Sequence, residues 1–275
     1  MSLPPPGKAL SAEDYAARHD AHADFESVCL LARHQHNLRW LQRNRPASVL
    51  EVGCGPVLLS TAARAANTGV QRWVTVEPAS RWAQGAEAAA QSWPGLTVIH
   101  DYIEQAQAAL AKACGSDPWA DMVVVSGVIH ETAEPETLLQ AALAPLKPGG
   151  LALISVPNAH SFHRLLAVEM GLAEAPEDLS QRNRLLGQAR VFRPQDLREM
   201  ARALGLVEVA FEGYLFKPFT HGSWDGARTR CAGVRRRPGG HRTSRKWPRT
   251  TGAGGGENAL PGWPATARHR SNRLS

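Results

Sequence analysis

The sequence predicts an α/β protein: a doubly wound, mostly parallel sheet with helices on both faces. Three observations predict it. Short β-branched runs alternate with alanine- and leucine-rich helical stretches from Ser48 onward. VLEVGCGPVLLS, residues 49–60, reads as a buried strand, two glycines two apart, and the opening of a helix. LKPGG at 146–150 reads as a turn that closes a helix and feeds a strand. Strands joined by helical crossovers form a parallel sheet covered on both sides.

Residues 8–44 are alanine-rich, with Leu30, Leu31, Leu38 and Leu41 at helical spacing, so they read as helix. Strands are predicted at 48–52, 72–77, 96–100, 121–126 and 150–156, with helices at about 57–66, 79–91, 103–113 and 135–145. A helix at 194–204 opens with Pro194 in its first turn and stops at Gly205, and a strand at about 206–216 comes after it. The stretch 157–193 interrupts the alternation. It is too long for a simple connection and carries His160, His163, Arg164, Arg182, Asn183, Arg184 and Arg190. An excursion of this size after a strand's carboxyl end reads as a lid or substrate-binding element, against the plainer reading of a solvated helical loop. The predicted organisation is a helical segment at 1–46, a ligand-binding domain at 47–221 with its lid at about 157–193, and a tail at 222–275.

The 43% hydrophobic content is ample for one buried core. Cys29, Cys54, Cys114 and Cys231 are scattered without a CxxC pair or metal-ligand spacing, which fits a reduced, cytoplasmic protein. The apolar runs at 122–125 and 151–156 are far too short to span a bilayer, so no membrane partner is expected. Charge is unevenly spread. Residues 226–275 hold twelve Lys and Arg against the single acid Glu257, leaving nineteen bases against twenty-four acids in the rest. That tail lacks periodicity and is crowded with Gly, Pro and Arg, so it reads as disordered, or as the product of out-of-frame translation of a GC-rich gene. A basic tail can bind a polyanion, but this one lacks the aromatic interleaving that stacks bases. His19 with His22, and His34 with His36, have no third ligand in sequence, and no metal is expected.

The ligand of a doubly wound sheet sits beyond the carboxyl ends of the strands, and glycines at the first strand-to-helix turn let backbone approach it. A dinucleotide loop, G-x-G-x-x-G, requires glycine at 58, where Leu58 stands. The other pattern is an acid followed by G-x-G-x-G, met by Glu51, Gly53 and Gly55, with Cys54 between the glycines and Val57 in the third glycine's place. Of the further acids, Glu77 ends the second strand before Pro78, and Asp101 stands after the third, beside Tyr102. VVVSGVIHE places Ser126 and Gly127 after the fourth strand, and RVFRPQDLREMARALGLVEV carries an F-x-P-x-x-L helix entry.

On these motifs the chain from about Ser48 to Phe216 resembles the class I S-adenosylmethionine-dependent methyltransferase family, small-molecule type. The resemblance implies a Rossmann-like fold and S-adenosyl-L-methionine as cofactor. It implies that Glu77 holds the ribose hydroxyls, that Asp101 faces the adenine amino group with Tyr102 against the ring, and that Ser126 and Gly127 lie near the methionine part. Methyl transfer is an in-line displacement in which the protein aligns the nucleophile and excludes water. His130 is the best placed base, and Glu131 would orient it or bind substrate. Quinone-precursor O-methyltransferases of this fold hold a metal here with two acids and a histidine; the matching positions are Gly127, His130 and Glu131, so that site is not reproduced. SGVIHE also lacks the Asn/Asp-Pro-Pro-aromatic run of enzymes that methylate base amines, which argues against nucleic acid. The expected activity is methyl transfer to oxygen of a small-molecule or sugar-like acceptor. Nothing after Phe219 reads as the antiparallel strand that this family inserts between the fifth and sixth. An NAD-dependent oxidoreductase and a non-catalytic or defective copy of the fold stay open as alternatives, and the sequence leaves the oligomeric state undetermined.

Overall fold

The computed structural model describes residues 10–21 and 23–216. The tail predicted at 222–275 lies outside the described residues. Two helices open the chain, α1 (Ala12–Ala21) and α2 (Ala23–Asn44), where the sequence reads as one helical stretch. Alternation then sets in: β1 (Ser48–Val52), α3 (Leu59–Ala65), β2 (Arg72–Val76), α4 (Ser80–Ala90), β3 (Leu96–Ile99), α5 (Gln107–Cys114), β4 (Ala120–Ser126), α6 (Pro135–Leu143) and β5 (Leu146–Ser155). The excursion contributes α7 (Phe162–Glu169) and α8 (Gln181–Leu185), and α9 (Pro194–Ala203) comes next. Among the described residues the sheet has five strands in the order β3-β2-β1-β4-β5, all parallel. The order reverses between β1 and β4, which opens a crevice at their carboxyl ends.

Two cores fill the two faces, because successive strand residues point to opposite sides. Leu50, Val52, Val74, Val123 and Val125 pack against Leu110 of α5, Leu138 and Leu139 of α6, and Met200 of α9. Val49, Trp73, Met122 and Val124 face the other way and meet Leu41 of α2 with Leu59 and Ala63 of α3. Buried Leu30, His34, Asn37 and Leu41 recur at helical spacing along α2, so one stripe of that helix lies on the sheet.

Two expectations are corrected. Residues 146–150 are not simply a turn: β5 starts at Leu146, which pairs with Ala120, and a register shift before the Met122–Leu151 pair takes up the Lys-Pro-Gly-Gly bulge, with Gly149 at φ +78°. Residues 206–216 are not a strand. A strand exists only through its neighbour's hydrogen bonds, and none of the described strands pairs with this segment. Val207 and Val209 therefore stand 83% and 71% exposed. Side chains hold the segment instead: Arg198 bonds Glu208 at 2.7 Å and covers the Phe211 ring at 4.1 Å, and Tyr214 stacks on His36 at 4.9 Å.

The excursion is closed at its base. Asn158 and Phe192 form an isolated parallel bridge, and Ala159 N–H donates to Phe192 O at 2.8 Å. Arg164 spends its guanidinium inside the excursion, on the carbonyls of Pro176 (2.9 Å) and Asp178 (3.0 Å) and on Asn183 Oδ1 (3.0 Å).

Leu41 has no exposed surface and joins α2 to the sheet. Leu41→Ala is expected to cost about 2–5 kcal/mol in urea unfolding. Leu31 lies on the same helix but is 57% exposed, and Leu31→Ala is expected to change stability by less than about 0.5 kcal/mol.

Candidate active site

The parallel register brings the ends of β1, β2 and β3 level: Val52 pairs with Val76, and Val76 with Ile99. The turns that leave these three strands therefore meet at one rim. Gly53 at φ +73° and Gly55 at φ +62° turn the chain out of β1, in a region where side-chain-bearing residues are strained. Gly53 N–H donates to Val76 O at 2.9 Å, so the loop stays stitched to β2 as it turns. A Cβ on Gly53 would come 2.9 Å from Val128 Cγ2, whereas one on Gly55 would meet nothing within 4 Å. Bare backbone thus faces open space at Gly55, a cradle of the kind a nucleoside ligand needs.

Glu77 sits at the centre of the rim, 2% exposed. Its Oε2 accepts the N–H of Cys54 (2.9 Å) and of Gly55 (3.2 Å), and its Oε1 accepts the N–H of Ala79 (2.9 Å). Burial raises its pKa, while the amide donors hold the rise back. A carboxylate offers about four acceptor sites, so three backbone donors leave little free capacity for the two ribose hydroxyls that the sequence assigns to it. Pro78 O accepts from His100 Nε2 at 3.1 Å, fixing the same turn from the β3 side. Asp101 Oδ1 accepts its neighbour's N–H, that of Tyr102, at 2.8 Å. Tyr102 is 44% exposed, and its hydroxyl accepts Ala12 N–H at 3.2 Å, tying it to α1.

Glu51 lies below this rim, 3% exposed. It points to the α2 face of the sheet, where its Oε2 accepts from Trp73 Nε1 (3.0 Å) and Thr75 Oγ1 (3.2 Å) of β2. Burial pushes its pKa up to about 7 against the pull of those two donors. The Cys54 thiol, also raised by burial, turns under α1 into a cluster with Ala16, Ala79 and Trp82, so Cys54 offers the rim its backbone alone. At the β4 exit, Ser126 Oγ bonds Ser155 Oγ at 2.7 Å and accepts from Asn37 Nδ2 at 3.1 Å. Gly127, at φ +79°, donates its N–H to Ser155 O at 2.8 Å.

His130 is 4% exposed just beyond, its Nε2 3.7 Å from Glu131 Oε1. Its carbonyl accepts the N–H of Ala189 (2.9 Å) and Arg190 (3.3 Å), so the returning arm of the excursion fixes its backbone. Among the described residues no group of three or more His, Cys, Asp or Glu could hold a metal ion.

Sequence reasoning missed the contribution of α1 and α2. Tyr15 OH donates to Glu131 Oε1 in a short hydrogen bond, while the Tyr15 and His19 rings meet Trp82 edge-on at 5.8 and 5.6 Å. Ser80 donates its N–H (2.9 Å) and Oγ (2.7 Å) to Glu13 Oε1, and Arg18 Nη1 donates to Leu185 O at 2.8 Å. Helix α1 therefore spans the rim from α4 to the excursion. Helical periodicity marked a buried face here but carried no signal for what that face meets.

Glu51 makes a signed prediction. A carboxyl whose folded pKa lies above its unfolded value binds its proton more tightly when folded. Its contribution to stability therefore falls as pH rises from the unfolded value through about 7, and is level above that. Glu51→Gln is expected to gain stability relative to wild type between pH 5 and pH 7, with the difference constant from pH 8 upward, read by urea unfolding at each pH.

The family model described as "Methyltransferase domain" matches residues 20–210 of this chain. The ubiquinone biosynthesis O-methyltransferase of Ralstonia nicotianae is 28% identical over 189 residues, covering 66% of this chain and 74% of that protein. Similar solved structures include the [4+2]-cyclase SpnF, at 15% identity and TM-score 0.44 over 61% of this chain. The chain spans 53% of the length of SpnF. Another is the N-methyltransferase NodS of Bradyrhizobium japonicum in complex with S-adenosyl-L-homocysteine, at 16% identity and TM-score 0.40, covering 62% of this chain and 72% of that one.

Proposed function

We propose, from the premise that this chain belongs to the class I S-adenosylmethionine-dependent methyltransferase family, that it transfers a methyl group from S-adenosyl-L-methionine to oxygen of a small-molecule or sugar-like acceptor. The observation that carries the reading is the grip of the Glu77 carboxylate on the Cys54 and Gly55 amides. It holds bare backbone open at the mouth of the β1–β4 crevice. The residues fit the cofactor: an uncovered glycine turn, a buried acid beside it, and an acid and an aromatic ring at the end of β3. When bound, the cofactor supplies the activated methyl and its own leaving group.

The chain's residues have the remaining tasks. Gly53, Cys54 and Gly55 give backbone to the ligand; Glu77 and Pro78 border the ribose, and Asp101 and Tyr102 the base. Ser126 and Gly127 border the amino-acid end. His130 takes the proton from the acceptor hydroxyl, a step that typically contributes about 10²–10⁴-fold. Glu131, pinned by Tyr15, lies 3.7 Å from His130 Nε2 and would orient the ring or bind the acceptor. With α1 across the rim and the excursion tied to His130, these two elements are the ones that would limit the access of water to the crevice. The oxygen target rests on this buried histidine and on the named activity of the Ralstonia relative. No helix among the described residues is long and apolar enough to cross a membrane.

Release of S-adenosylhomocysteine is the test, measured with the full chain against a panel of phenols, catechols, sugars and amines. Product with a hydroxyl acceptor is expected, and product with amines alone would overturn the oxygen assignment. With the acceptor so found, His130→Ala is expected to lower turnover by about 10²–10⁴-fold while S-adenosylhomocysteine affinity, by isothermal titration, stays within about twofold. Wild-type turnover in that variant removes His130 as the base. Gly53→Val is expected to abolish S-adenosylhomocysteine binding, since the new side chain meets Val128 at a backbone angle valine disfavours. A second reading, a fold that binds cofactor without turnover, draws on the unpaired segment 206–216. Its signature is tight S-adenosylhomocysteine binding with no product from any acceptor.

A further inference from the structure

We infer that Tyr15 of α1 is a positioning residue for the base: its hydroxyl holds the Glu131 carboxylate where it orients the His130 ring, an assignment that rests on the reading of His130 given above. Two roles are open to Glu131, orienting His130 or binding the acceptor. The geometry favours the first, because one oxygen meets both neighbours. Glu131 Oε1 accepts the Tyr15 hydroxyl and stands 3.7 Å from His130 Nε2. The backbone is held too, Glu131 N–H donating to Val128 O at 2.9 Å. The Glu131 side chain is 21% exposed and that of His130 5%. A hydrogen bond to a carboxylate in such a place is stronger than one in bulk water. It also fixes a side chain that otherwise keeps its rotamer freedom.

The phenol comes from a distant element, so what places that element decides whether the base is assembled. Ala12, Tyr15, Ala16 and His19 stand at i, i+3, i+4 and i+7, one stripe of α1. Along this stripe Ala12 N–H donates to Tyr102 OH at 3.2 Å, and Ala16 packs with Cys54, Ala79 and Trp82. The excursion holds the same helix from the other side. Leu10 lies over Gly187, where a Cβ would come 2.5 Å from Leu10 Cδ1, and Arg18 Nη1 donates to Leu185 O at 2.8 Å. A few residues on, the N–H groups of Ala189 and Arg190 donate to the His130 carbonyl. Helix α1 therefore stands on the turns that leave β2 and β3 and on the arm that holds His130, with Tyr15 between them. The ring of His130 is oriented only while that helix is docked.

Tyr15→Phe removes the hydroxyl and keeps the ring on Trp82, whereas Ser80→Ala loosens α1 from α4 without touching Glu131. The first measurement needs no turnover: the imidazole ¹⁵N signals of His130 in the full chain, identified by their loss in His130→Ala. Tyr15→Phe and Glu131→Gln are both expected to move them, and Ser80→Ala to leave them in place. Unmoved signals in Tyr15→Phe overturn the assignment, whatever the activity.

The second measurement uses an acceptor that yields product. Tyr15→Phe is expected to lower kcat by roughly 10- to 100-fold, the range of a hydrogen bond to a charged group. Acceptor KM and S-adenosylhomocysteine affinity are expected to stay within about twofold. The double variant with Glu131→Gln is expected to be no slower than Glu131→Gln alone, since the phenol acts through that carboxylate. Additive losses overturn the assignment, and so does a rise in acceptor KM without a fall in kcat. An equal loss in Ser80→Ala does the same, because it reduces Tyr15 to a tether of α1. His130→Ala separates the two failures. Wild-type turnover there removes the base itself; slow turnover there with a fast Tyr15→Phe leaves the base standing and removes Tyr15 alone.

Discussion

One buried carboxylate organises the mouth of this sheet. Three backbone amides from two different turns converge on Glu77. Orphaning such donors costs about 1–3 kcal/mol each, so the acid holds the glycine turn and the start of α4 in one geometry. The turn then sets the position of Cys54, and Cys54 with Ala79 and Trp82 forms the floor on which α1 rests through Ala16. A single side chain thus links the strand ends, the backbone of the glycine turn and the helix above them.

That helix has few apolar anchors, since Ala16 is its one buried residue. Its attachment is mainly polar: Glu13 to Ser80, Asp20 to Arg81, Tyr15 to Glu131 and Arg18 to the Leu185 carbonyl. Polar contacts at a rim are individually modest, and they open more readily than a packed hydrophobic face. Helix α2 is the opposite case, fixed to the sheet by fully buried Leu41 and by the Asn37–Ser126 bond.

Much of this was legible in the sequence, and the reason is local. The five strands are spelled by β-branched runs, and GCG, Glu77, Asp101 and SGVIHE stand at strand ends that the alternation locates. Periodicity also named Leu30, Leu31, Leu38 and Leu41, of which Leu30 and Leu41 are buried while Leu31 is 57% exposed. What a face meets is a non-local fact. Nothing in the text of α1 announced that Tyr15 would reach Glu131, 116 positions away, nor that Arg33 would lie on Gly127. Residues 206–216 failed for the same reason from the other side: LVEVAFEGY has strand character, but strand character supplies no partner. At 146–150 the local turn signal was real and the sheet absorbed it as a bulge.

The bridge between Asn158 and Phe192 makes the excursion a loop with its feet together. Between those feet, the far part of the loop around α7 can change without tugging on β5 or α9, whereas its returning arm is held by Ala189 and Arg190 on the His130 carbonyl and by Arg18 on Leu185. Variation in the outer part of the loop is therefore separated from the turns at the ends of β1, β2 and β3, which the sheet register and the Glu77 hydrogen bonds hold under their own constraint.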